Sequence, residues 1–249
     1  MSSVKPGHYT SLKSFRKWFE TGKPCLTYHK IGPRPAGVRI KGLYVSADLL
    51  KRQLEELAEA GFHTPAYGEM PASSNAAKAI SLTFDDGFLN AFESALQPLA
   101  QHRFRAMLFL VADRLGQYNE WETLLGEVRE PLMDAAQVRD WLAAGHEIGA
   151  HTLTHPFLTR VSSREAREEV FSSKKKLEDQ FGVPVQHFCY PYGDWNDHVL
   201  DLVREAGYAT SCTTDFGVNT TTTPPLELKR IMARHRSISI KAIKARLAS

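Results

Sequence analysis

The chain has 249 residues, 43% of them hydrophobic and 24% charged, with a formal net charge of +3. That balance belongs to an ordinary folded globular protein and excludes disordered and collagen-like classes. A surplus this small lacks the dense basic stripe of a nucleic-acid binder. Cys25, Cys189 and Cys212 stand far apart without C-x-x-C spacing, which fits buried thiols in a reducing compartment better than a disulfide frame or a zinc ribbon. No apolar run approaches the ~18 residues of a membrane helix, and the first residues contain no continuous apolar stretch, so a cytoplasmic location is expected.

In chain order, short apolar runs alternate with longer helix-period runs, the pattern of β/α units around a parallel sheet or barrel. The predicted strands are Pro24–His29, Ala79–Phe84, Arg105–Val111, Glu147–Ala150, Gln186–Tyr190 and Tyr208–Thr213, with a weaker one at Glu227–Ala233. Ser46–Ala60 places Leu49, Leu50, Leu54 and Leu57 on one helical face and stops at Gly61. Further helices are predicted at Phe88–His102, interrupted by Pro98; at Asp134–Ala144, capped by Asp134; and at Ser162–Phe181, opened by Ser162 and Glu165. The Lys174–Lys176 run of that long helix is expected to face solvent. Asp194–Ala206 and Ile240–Leu247 complete the helices. Lys30–Tyr44 reads as a long loop and Asp113–Pro131 as an insertion with some helix. Long loops in a compact domain are often functional.

Polar clusters follow the C-terminal ends of four predicted strands: Asp85-Asp86-Gly87, His151-Thr-Leu-Thr-His155, Pro191-Tyr192-Gly193-Asp194 and Thr214-Asp215. In parallel α/β folds this rim is where active sites assemble. Two imidazoles and one carboxylate form a three-ligand set suited to a catalytic zinc with one position left open. Adjacent aspartates just past a strand project differently, so one can bind the metal while the other accepts a proton. Gly87 allows the tight turn.

Thr83-Phe84-Asp85-Asp86-Gly87 followed by His151-Thr152-x-x-His155 resembles the polysaccharide deacetylase family, also called carbohydrate esterase family four or the NodB-homology domain. Tyr28-His29-Lys30, Gly145-His146-Glu147-Ile148-Gly149 and Tyr190-Pro191-Tyr192-Gly193 support the match. The resemblance implies a distorted (β/α)7-type barrel over residues 23–249, with residues 1–22 as an N-terminal extension. It also implies metal-dependent removal of acetyl groups from N-acetylated amino sugars, with Zn2+, Co2+ or Ni2+ as the ion. Carried over residue by residue, Asp85 matches the catalytic base, and Asp86, His151 and His155 match the metal ligands. Tyr192 matches the residue whose backbone N–H stabilises the oxyanion.

The chain departs from the family pattern in two places. The third segment usually carries a base-orienting Arg where Phe188-Cys189-Tyr190 stands, which leaves Arg230 or Arg234 as substitutes. The last segment usually ends in a general-acid His, and both His235 and His29 are candidates for that role. Tyr192 and Trp195 are candidates for stacking on a sugar face; His63, His102, His146, His187 and His198 read as packing or surface residues. The expected substrate is a carbohydrate carrying N-acetyl groups: a sugar intermediate, a short oligosaccharide or a lipid-linked precursor. Alternatives are a deacylase of a non-glycan amide or O-acetyl ester, and a glycan-binding homologue impaired in turnover. Leu228–Ser249 holds seven basic residues and no acidic one, which leaves about −4 on the remainder. Such a tail suggests peripheral contact with an anionic lipid carrier, although a solvated face is the commoner use.

Overall fold

The computed structural model describes residues 7–69 and 78–235. Helix α1 (Leu12–Phe19) precedes strand β1 (Cys25–Tyr28), and two short strands, β2 (Lys30–Ile31) and β3 (Tyr44–Val45), pair with each other. There follow α2 (Ala47–Glu59), β4 (Ser81–Phe84), α3 (Leu89–Gln101), β5 (Met107–Leu110), α4 (Glu120–Thr123), α5 (Ala135–Ala143) and β6 (Glu147–Ala150). The chain continues through α6 (Ser163–Phe181), β7 (His187–Cys189), α7 (Asp197–Glu205), β8 (Thr210–Phe216) and β9 (Leu228–Met232). Seven strands close a parallel barrel in the order β1-β4-β5-β6-β7-β8-β9, and β9 returns to β1 with Leu26 opposite Ile231. All seven predicted strands take part. No helix among the described residues is long and apolar enough to cross a membrane.

Strand alternation sorts the side chains into two layers. On β5, Leu108 and Leu110 pack outward with the helices, while Met107 and Phe109 join Cys25, Tyr67, Cys189, Cys212 and Leu228 in a separate inner cluster. The period of two explains why both faces of these strands are apolar: helices cover one, and the barrel lumen is filled by the other. Each fully buried Leu or Phe contributes roughly 1.5–3 kcal/mol by removal from water. A Cβ on Gly149 would come within 2.6 Å of the Phe109 ring, so β6 approaches β5 closely only with glycine there. The three cysteines are free and buried.

Several elements differ in detail from the sequence reading. Residues 1–22, set apart as an extension, contain α1, whose Leu12, Phe15 and Phe19 enter the main core. Tyr9 also pairs with the end of β9, donating its N–H to the Met232 carbonyl at 2.8 Å. Pro98 does not interrupt α3, because a proline removes one backbone donor without forbidding helical φ. Helix α7 starts at Asp197 rather than Asp194; Asn196 caps it, and Asp194 instead accepts from the backbone and hydroxyl of Thr159. Lys174 is half-buried, donating to the Val185 carbonyl, whereas Lys175 and Lys176 are exposed. The helix expected at Ile240–Leu247 lies outside the described residues.

Candidate active site and metal centre

The alternation that fills the lumen also delivers the site. Two residues beyond Thr83 and Thr27 come Asp85 and His29; two beyond Gly149 comes His151. All three reach one cavity of about 270 Å³ at the C-terminal mouth of the barrel. Its floor holds Asp85, Asp86, His151, His155 and Arg230, and its rim holds apolar residues that include Trp121 and Tyr192.

The two aspartates diverge because the chain reverses between them. Asp86 and Gly87 are both left-handed, with φ of 73° and 78°. Asp85 turns toward β9: Arg230 donates from both terminal nitrogens, at 2.8 Å to Oδ1 and 2.8 Å to Oδ2. Asp86 turns the other way, with Oδ1 at 3.4 Å from His151 Nε2 and 3.3 Å from His155 Nε2. A non-glycine left-handed residue costs on the order of 1–3 kcal/mol and persists where surrounding contacts enforce it. Thr152, His155 and Tyr192 share this conformation. Thr152 Oγ1 accepts the His155 N–H at 2.9 Å, and Glu169 of α6 accepts the backbone N–H groups of Leu153 and Thr154, which pins the histidine loop.

One carboxylate oxygen of Asp86 and one ring nitrogen from each of His151 and His155 lie within 4.8 Å of one another. His151 Nδ1 lies 2.7 Å from the Cys189 carbonyl. The carbonyl can only accept, so Nδ1 carries a proton, and Nε2 is the nitrogen that faces Asp86 and would bind a metal. Asp86 Oδ1 is buried without a hydrogen-bond partner. Burial raises the Asp86 carboxyl, but the two imidazoles overcome this and hold it well below the ordinary carboxylate range. An ionised carboxylate oxygen faced by the Nε2 atoms of two imidazoles is a mixed N and O donor set that fits a divalent cation, whose binding would displace any ring proton between them.

Arg230 is buried, and its Nε donates to the Thr213 carbonyl at 2.9 Å, so the guanidinium is fixed before it meets Asp85. Burial raises the Asp85 carboxyl too, yet Arg230 and then His29 bring it below its ordinary value. Of the two arginines considered from sequence, Arg230 therefore stands at Asp85, whereas Arg234 donates to the Met232 sulfur. Cys189, at the position where the resemblance leads one to expect an arginine, lies 3.1 Å from the Arg230 guanidinium.

The two candidate acids separate. His29 lines the cavity, with Nε2 at 3.7 Å from Asp85 Oδ2. His235 is exposed, accepts the Ser46 backbone N–H at 3.1 Å and does not line the cavity. His235 lies beyond the end of β9. Tyr192 is at the rim, its ring stacked on Phe157 at 3.8 Å. Trp195 instead packs on Tyr190.

Trp121 and Glu122 are site residues missed in the sequence, and Lys30 was read there only as part of a supporting match. Trp121 stacks on His155 at 4.7 Å, and Glu122 accepts from buried Lys30 at 2.5 Å and from Asn119 at 2.6 Å. They arrive from the two loops that carry no periodic signal, and only the expectation that long loops are functional pointed there.

A closed seven-stranded β/α barrel with a carboxylate–histidine cluster at its C-terminal mouth defines a barrel protein with a candidate metal centre. The model of the family described as polysaccharide deacetylase matches residues 72–211, more than half of the chain, and the chain belongs to that family. It is 32% identical over 144 residues to a chitooligosaccharide deacetylase of Sinorhizobium fredii, a match that covers 56% of this chain and 59% of that protein. It is 27% identical over 206 residues to a peptidoglycan-N-acetylglucosamine deacetylase of Listeria monocytogenes, covering 79% of this chain and 39% of that one. The chain thus spans about half the length of these relatives. Among solved structures, a putative polysaccharide deacetylase from Bacillus anthracis superposes with a TM-score of 0.74 at 25% identity, covering 91% of this chain and 69% of the other.

Proposed function

We propose that the protein is a metal-dependent hydrolase that removes N-acetyl groups from an amino-sugar glycan or glycan precursor, releasing acetate. The observation that carries this reading is the division of labour between adjacent carboxylates, Asp86 facing two histidines and Asp85 locked by Arg230. The names of the two relatives above supply the amino-sugar class.

In this reading Asp86, His151 and His155 hold a divalent ion, zinc by the donor set, with cobalt or nickel as substitutes. Such an ion polarises an acetyl carbonyl and lowers the pKa of water from 15.7 toward about 7, so an ordinary carboxylate suffices as base. Asp85 takes the proton of the attacking water. Arg230 keeps that carboxylate ionised and aimed. The Tyr192 backbone N–H stabilises the developing oxyanion, a role in which one donor is worth about 2.7–4 kcal/mol. His29 protonates the departing amine. The Arg230 fork counts against one of the two grounds for the binding-only alternative, the missing base-orienting arginine; the other was the last segment's departure from the family pattern.

The test is acetate release from N-acetylglucosamine oligomers, with an O-acetyl ester panel alongside, before and after chelation. The reading predicts release from the amide, abolished by chelator and restored by zinc. Ester hydrolysis alone, or glycan binding without release, would overturn it.

A further inference from the structure

We infer that the mouth of the cavity docks on an anionic lipid bilayer, through a rim of exposed leucine and isoleucine flanked by basic residues. This deepens the proposed function by assigning it a substrate presented at a membrane, and it rests on that reading only for the substrate.

Two segments form the rim. Ile40 is 43% exposed, Leu124 88% and Leu125 55%. Large apolar side chains so exposed are ordinary when scattered, but here three stand together beside a cavity that Ile40 and Leu125 also line. They are held rather than loose. The Glu127 carboxylate accepts the backbone N–H of Ile40 at 2.6 Å and of Arg39 at 3.1 Å, and Arg39 donates to the Leu125 carbonyl at 2.9 Å. Buried Glu127 and exposed Arg39 thus fix an apolar edge in water.

The charges around this edge are sorted. From Lys30 to Ala47 the sequence has no acidic residue, and Arg34, Arg39 and Lys41 are exposed. The acidic residues of the facing segment turn away: Glu122 and Glu130 are buried on Lys30 and the Tyr44 hydroxyl, Glu127 is taken by backbone N–H groups, and exposed Glu120 pairs with Arg114. What these two segments turn outward is apolar and cationic, a composition that inserts shallowly among headgroups and is drawn to an anionic surface. A sugar-binding mouth alone gives no reason for leaving Leu124, which lies outside the cavity lining, in water.

The experiment is co-sedimentation of the full chain with vesicles of phosphatidylcholine alone or with about one-third phosphatidylglycerol, for wild type, Leu124→Glu and Lys41→Glu. Circular dichroism and acetate release from a soluble oligosaccharide serve as controls. The inference predicts binding to the anionic vesicles, weakened at least about fivefold by each substitution and by high salt, with soluble turnover unchanged. Absence of vesicle binding, or binding that Leu124→Glu leaves intact, would overturn it, the latter by placing the contact elsewhere, such as the basic tail. Loss of soluble turnover in Leu124→Glu would also overturn it by making that leucine a direct substrate contact. Vesicle binding is read without catalysis, so its failure is separable from failure of the deacetylase reading.

Discussion

Arg230 on β9 reaches past β1 to Asp85 at the end of β4 and holds both carboxylate oxygens at 2.8 Å. Removing one member of a buried pair leaves the other uncompensated, a loss of about 3–5 kcal/mol. Arg230→Ala should therefore lower stability to denaturant by that order. Arg230→Lys keeps the charge without the fork, so it should lose less stability but at least about tenfold in kcat. Because Arg230 opposes the effect of burial on Asp85, the acid limb of the rate profile should move to higher pH in the lysine variant. An unchanged limb would show that Arg230 does not set the charge of Asp85.

Two histidines remote from the metal set give a pH prediction. Burial lowers His146 and His187 to about 4 each, with Arg105 and Lys174 adding smaller effects in the same direction. Between that value and 6.5 the unfolded chain binds protons that the folded chain refuses, so stability is lost as pH falls through this window. The loss is on the order of 3 kcal/mol per histidine. Urea midpoints at pH 7.5 and 4.5 should fall accordingly, and His187→Gln, keeping a polar group toward Thr210, should shrink the difference.

Metal addition should raise the melting temperature, since an ion that binds only the folded state stabilises it by about 2.7 kcal/mol at one hundred times its Kd. His155→Ala should abolish the rise. Trp121→Ala should reduce it by loosening the ring that backs His155 at 4.7 Å. Scanning calorimetry with and without zinc reads both effects.

The barrel and its two aspartates were legible because both follow from period-two strands and from residues at their ends. The histidine pair was legible by spacing. What escaped depends on packing across the barrel. The choice between Arg230 and Arg234 turns on which face of β9 looks inward, and a weakly predicted strand does not settle its own register. The same uncertainty left His29 and His235 as rivals. Trp121 and Glu122 sit in a four-residue helix whose place is fixed by tertiary bonds such as Asn119 to the Val128 carbonyl. Helix α1 had a readable signal in Leu12, Phe15 and Phe19, spaced by three and four. The basic run from Leu228 was read as one feature, yet its Arg230 is a buried member of the site.

The most direct test of the account is Asp85→Asn, measured for bound metal and for acetate release on the same preparation. Metal should be retained at wild-type stoichiometry by Asp86, His151 and His155, with kcat reduced about 10²–10⁴-fold. Turnover within about threefold of wild type, or loss of the metal together with activity, would contradict the separation of base from ligand.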